Sequence, residues 1–130
     1  MPEAAVSLLT PEAPELRARL ALPDTVLVAC LCADWCGTCR EYRPKFSELA
    51  SHFPQCAFVW IDIEETPELA GDEDIENFPT LLIQADPGIA FYGPMLPHIG
   101  HLERLLETIL QADAGEYRAN GPNVLELLRT

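Results

Sequence analysis

The chemistry of this chain concentrates in Cys36 and Cys39, the two thiols of the segment Trp35-Cys36-Gly37-Thr38-Cys39-Arg40. The segment lies between an apolar run and a stretch of helical periodicity, which predicts a strand-to-helix junction. Thiol–disulfide exchange needs a thiolate, because the neutral thiol is a poor nucleophile. At a helix N-terminus several unpaired N–H groups and the positive end of the helix dipole face the Cys36 sulfur and favour that thiolate. Cys39 then follows one turn later on the same edge, where it can attack a mixed disulfide and release the reduced substrate. Gly37 is expected to let the turn close tightly and to leave room for an incoming chain. The competing reading is a metal site, since Cys30, Cys32, Cys36 and Cys39 fall within ten residues. Two of these lie inside an apolar strand and two at its end, a poor tetrahedral arrangement, and no second C-x-x-C or H-x-x-H follows. The redox reading is preferred, and no metal is assigned.

These thiols must be positioned by elements, and the composition limits which. The 130 residues fit one domain; hydrophobic residues make up 48% and charged residues 22%, enough apolar material for one core. A formal charge of −13 argues against nucleic acid and anionic membrane surfaces as partners. No stretch approaches the ~20 apolar residues of a membrane span. The start, MPEAAVSLLTPE, lacks a basic region and meets Glu3 at once, so it does not read as a signal peptide and a cytosolic location is expected. Five cysteines are too few for a disulfide-stapled scaffold.

The apolar run Val6 to Leu9 precedes Thr10-Pro11-Glu12, which reads as the start of a helix with Leu16 and Leu20 on its inner stripe. Residues 26–33 are apolar without alternation, as in a strand buried on both sides. A helix from near Cys36 to about Phe53 follows, with Tyr42, Phe46, Leu49, Ala50 and Phe53 on one face and a kink expected at Pro44. Strands are expected over Ala57 to Ile61, Thr80 to Ile83 and Ile89 to Tyr92, with a turn at Asp86-Pro87-Gly88 and a short surface helix in the acidic segment 64–76. A last long helix spans Pro97 to Ala112, and Val124 to Leu128 can add a further turn or two. The order β-α-β-α-β-α-β-β-α implies an α/β sheet.

With these elements in place the chain resembles the thioredoxin family. The resemblance rests on Ala33-Asp34-Trp35-Cys36-Gly37-Thr38-Cys39-Arg40, on Pro44 five residues after the second cysteine, on Phe78-Pro79-Thr80 opening a strand, and on Gly93 before an amphipathic helix. It implies a thioredoxin fold, a central mixed sheet of four to five strands flanked by helices on both faces. Residues 1–112 would form that domain and 113–130 a C-terminal extension with a short helix. It implies Cys36 as nucleophile and Cys39 as resolving thiol. Trp35, Gly37, Thr38, Phe78 and Pro79 would contact substrate, with a cis Phe78–Pro79 bond presenting the Phe78 backbone to an extended segment. It further implies a monomer that acts on disulfide-containing proteins, takes electrons from a flavoprotein disulfide reductase and needs no bound cofactor.

Three departures stand out. The position six residues before the nucleophile, a buried carboxylate in the family, is Cys30, and the lysine that partners it is Phe58. Losing both together is coherent, since either charge alone would be buried and unpaired. Thr38 stands where thioredoxins have proline, and a more oxidising pair is expected. Cys30 and Cys32 point to one face of a strand, too far apart for an unstrained disulfide, and read as small buried hydrophobes. The sharper reading is that Cys32 can be oxidised and tune the active pair. Cys56 receives no role, and His52, His98 and His101 read as solvated. The alternative to an enzyme is a redox-sensing or regulatory thioredoxin-like module with little turnover.

Overall fold

The computed structural model describes residues 8–9, 14–21, 25–33, 37–53, 56–65, 79–85, 88–95, 98–111, 119 and 121–129. In chain order the elements are β1 (Leu8–Leu9), α1 (Pro14–Leu20), β2 (Val26–Cys32), α2 (Gly37–Ala50), β3 (Cys56–Asp62), β4 (Thr80–Ala85), β5 (Gly88–Pro94), α3 (Ile99–Leu110) and α4 (Val124–Arg129). The expected cap at Thr10-Pro11, the helix of the acidic segment beyond Glu65, and the ends Pro97 and Ala112 of the last long helix lie outside the described residues.

The sheet is mixed, in the order β1-β3-β2-β4-β5. β2 occupies its centre, parallel to β3 and antiparallel to β4, which is why its sequence shows no polar alternation. Successive side chains of a strand point to opposite faces. Val26, Val28, Cys30 and Cys32 accordingly join α2 and α3 in one core, with Phe46, Phe58 and Leu106. Leu27, Ala29 and Leu31 join α1 and α4 in the other, with Leu16, Leu20 and Val124. Helices therefore cover both faces, and both strand cysteines lie under α2.

α2 ends earlier than its apolar face suggests. Ser51, His52 and Phe53 donate their N–H groups to the carbonyls of Glu48, Leu49 and Ala50, three residues back, which tightens the last turn while Phe53 stays buried. Pro44 lies inside α2 and has no N–H for the carbonyl four residues earlier.

The C-terminal helix docks through a polar pair within an apolar face. Gln84 of β4 is buried; its Nε2 donates to Asn123 Oδ1 (2.8 Å) and its Oε1 accepts from the Leu125 N–H (2.9 Å). Asn123 Oδ1 also accepts from the Glu126 N–H (3.2 Å), while Asn123 Nδ2 donates to Glu126 Oε1 (2.9 Å), so one side chain caps α4 and anchors it to the sheet. Ahead of it, Ala119 bridges Ile89 on the outer edge of β5, and Gly121 lies so close to the Tyr92 ring that a Cβ there would approach its Cγ to 2.8 Å. Asn123→Ala is expected to cost about 2 kcal/mol, because it removes a helix cap and strands the buried Gln84 amide. Urea unfolding checks this; a midpoint equal to that of the unaltered chain would refute the anchor.

Candidate functional site

β2 brings two cysteines to its C-terminal end on the face that α2 covers, and the first turn of α2 lowers Cys39 onto them. Cys32 and Cys39 are joined by a disulfide, with Cα atoms 5.9 Å apart across a sequence separation of seven residues. Both are buried, whereas Gly37 and Thr38 at the start of α2 are exposed. The motif spacing pairs Cys39 with Cys36 and does not reveal this bond. The signal that points to it is parity: as the last residue of β2, Cys32 faces α2 at the level where that helix starts. Trp35, Cys36 and Phe78 lie outside the described residues.

Gly37 opens α2 with space around its Cα. Among the described residues, the nearest atom a Cβ there would meet is Arg40 Nη2 at 3.9 Å, and only Gly88 has a positive φ.

Beneath the disulfide lies Cys30, its Sγ 3.7 Å from Cys32 Sγ and fully buried. Cys30 is a free thiol, and burial pushes it well above its ordinary range, so it stays protonated. Phe58 is equally buried. The charge-for-neutral replacement inferred from the sequence thus places two uncharged groups in one apolar core. Tyr42, one turn beyond Cys39, is buried, and its hydroxyl has no hydrogen-bond partner among the described residues. Burial, and then the nearby Cys30, keep its phenol protonated. Asp62 is in register with Cys32 across the parallel β2–β3 pair; its Oδ1 accepts from the Glu64 N–H at 2.9 Å.

Pro79 is buried immediately before β4, and its carbonyl accepts from the Met95 N–H at 3.0 Å. The antiparallel β2–β4 register ends with Leu31 paired to Thr80, the residue after Pro79, just as Cys32 follows Leu31 at the end of β2. The strand end, the helix start and the proline loop therefore converge at one end of the sheet. His52, His98 and His101 are exposed, the last two with ring centroids 5.6 Å apart at the start of α3.

Cys56, which opens β3, is also a buried free thiol. Its carbonyl accepts from Arg19 Nη2 at 2.6 Å, and burial outweighs the arginine's lowering effect, raising the thiol from 9.0 to about 12. Such a group stays protonated in the folded chain while the unfolded chain ionises above about pH 8.5. Stability is therefore complete below that pH and is lost as pH rises toward about 12. At about 1.4 kcal/mol per unit, Cys56 alone is expected to remove roughly 3 kcal/mol between about pH 9 and pH 11, with Cys30 adding in the same direction. Denaturant unfolding over that range checks it, and a flat profile would refute the burial of these thiols.

Comparison with known proteins agrees with this geometry. The family model described as Thioredoxin matches residues 9–93. A thioredoxin from Geodia cydonium is 39% identical over 57 residues, 44% of this chain and 54% of the relative. Among solved structures, a mutant thioredoxin from Halobacterium salinarum is 28% identical, with a TM-score of 0.66 over 82% of this chain and 93% of that one. Thioredoxin f2, solved in complex with ferredoxin:thioredoxin reductase, shares the fold at 20% identity and a TM-score of 0.68, over 82% of this chain and 98% of that one. The chain belongs to the thioredoxin family. It spans 32% to 54% of the length of curated relatives it matches, and α3 and α4 lie outside the family match.

Proposed function

We propose that this chain is a thiol–disulfide oxidoreductase that reduces disulfides of other proteins in the cytosol, with Cys36 as the attacking thiolate and Cys39 as the resolving thiol. The observation that carries the reading is the Cys39 sulfur, held in a disulfide at the start of α2, directly after the exposed pair Gly37-Thr38. A sulfur already engaged in a disulfide at a strand-to-helix junction is equipped to exchange partners. Pro79, buried directly before β4, suits the substrate-positioning role that the family resemblance gives it together with Trp35 and Phe78. Electrons would arrive from a separate disulfide reductase, a flavoprotein by family resemblance.

Reduction of insulin by dithiothreitol in the presence of the chain tests the activity: a catalysed rate supports the reading, and a rate equal to dithiothreitol alone overturns it. Titration against glutathione adds the direction. With Thr38 in place of proline and Cys30 in place of the family's buried carboxylate, a midpoint above about −270 mV is expected; a value at or below it refutes the oxidising assignment. A second reading, a redox-sensing module with little turnover, is favoured by one observation, the buried Cys32–Cys39 bond that occupies the resolving thiol. Oxidation of the chain without catalysed insulin reduction would select it.

A further inference from the structure

We propose that Cys32 is a third working cysteine, which competes with Cys36 for Cys39 and stores the oxidised state of the domain as a buried Cys32–Cys39 disulfide. The inference deepens the proposed function and rests on Cys36 being the nucleophile. A sulfur holds one disulfide partner at a time, so the Cys32–Cys39 bond and a Cys36–Cys39 bond exclude each other.

The geometry that carries it is the placement of Cys32. It ends β2 on the α2 face, and its Cα lies 5.9 Å from that of Cys39, within the common range for a disulfide. Cys30 is excluded as the partner: its Sγ lies 3.7 Å from Cys32 Sγ, and it remains a thiol.

The step conserves disulfides and electrons. The Cys36–Cys39 disulfide left by substrate reduction is attacked at Cys39 Sγ by the thiolate of Cys32. The Cys32–Cys39 bond forms, the Cys36–Cys39 bond breaks, and Cys36 leaves as a thiolate; the proton lost by Cys32 passes to solvent or to Cys36. One arrangement leaves the free thiol in the core at Cys32, the other at Cys36, directly before α2 in sequence. A thiolate is disfavoured in the core, as the raised Cys30 thiol shows. Ionisation therefore favours the isomer that frees Cys36. In the stored form Cys36 has lost its resolving partner. A mixed disulfide at Cys36 then persists until an external thiol, such as glutathione, attacks it.

The test maps disulfides in the full chain. Cleavage before aspartate puts Cys30 and Cys32 in the peptide 24–33 and Cys36, Cys39 and Cys56 in the peptide 34–61. A Cys32–Cys39 bond links the two peptides, whereas a Cys36–Cys39 bond stays inside the second. After equilibration with glutathione and trapping of free thiols, the oxidised chain is expected to yield the linked pair. Fragmentation should assign the link to Cys32 and Cys39, with Cys36 alkylated. The linked fraction should rise between about pH 6 and pH 8. Cys32→Ala should lose the link, and its oxidised form should carry the bond within 34–61 with Cys36 protected. Absence of the linked pair at every poise in the unaltered chain overturns the proposal, and this arm needs no variant to fold. Cys36→Ser separates the two readings. Loss of insulin reduction with the link retained supports both, whereas retained insulin reduction refutes Cys36 as nucleophile even when the link is found.

Discussion

Cys36→Ser is expected to abolish catalysed insulin reduction, leaving the rate of dithiothreitol alone. A serine hydroxyl is not ionised at neutral pH and cannot form a disulfide, so neither the attack nor the mixed disulfide survives. Cys39→Ser should behave differently. Cys36 still attacks, but nothing inside the chain resolves the product, and the protein should accumulate as a reducible adduct with its substrate. Non-reducing gels with mass spectrometry distinguish the two outcomes. Full turnover by Cys36→Ser, or a trapped adduct mapped to Cys32 in Cys39→Ser, would show that the exposed attack is made elsewhere. The pair of variants reads roles rather than folding, because both replacements are small and each leaves a distinct covalent signature.

Phe46→Ala is expected to destabilise the chain by about 3–5 kcal/mol. Phe46 is fully buried at the middle of α2, with ring centroids 5.0 Å from Phe58, 5.9 Å from Trp60 and 6.1 Å from Tyr42. Truncation removes the transfer free energy of the ring and leaves a cavity that the packed elements around it cannot collapse to fill. Domains are stable by only about 5–15 kcal/mol, so the variant should lie near the edge of folding. The same ring holds α2 against β3, so Cys39 loses its fixed position over Cys32 and the linked fraction should fall as well. A shift in unfolding free energy below about 1 kcal/mol would mean that the aromatic cluster is not the keystone of this face. Phe46→Leu, which fills much of the space, should cost visibly less.

Much of the architecture is legible in the sequence because it depends on local pattern. The unbroken apolar run of β2 announces a central strand, and its parity places Cys30 and Cys32 on one face before any coordinates are known. The spacing of Tyr42, Phe46, Leu49 and Ala50 defines the buried side of α2, and the apolar residues after Asn123 mark α4. Helix ends are less legible, since the turn at Ser51 to Phe53 closes on carbonyls three residues back while Phe53 remains apolar and buried. The capping of α4 by Asn123 and its tie to Gln84 join residues 39 apart in sequence, and no periodicity encodes that meeting. The partner of Cys39 is the sharpest case. By spacing alone, Cys36 is the nearer thiol and the natural assignment. Whether Cys32 also comes within bonding reach depends on the angle at which α2 leaves β2 and on the depth to which its first turn sits against the sheet. Those quantities are set by the packing of Phe46 against Phe58 and Trp60. The residue types and their order determine that thiol chemistry is available here; the tertiary packing alone decides which sulfurs can meet, because a disulfide is governed by distance and direction in space and not by separation along the chain.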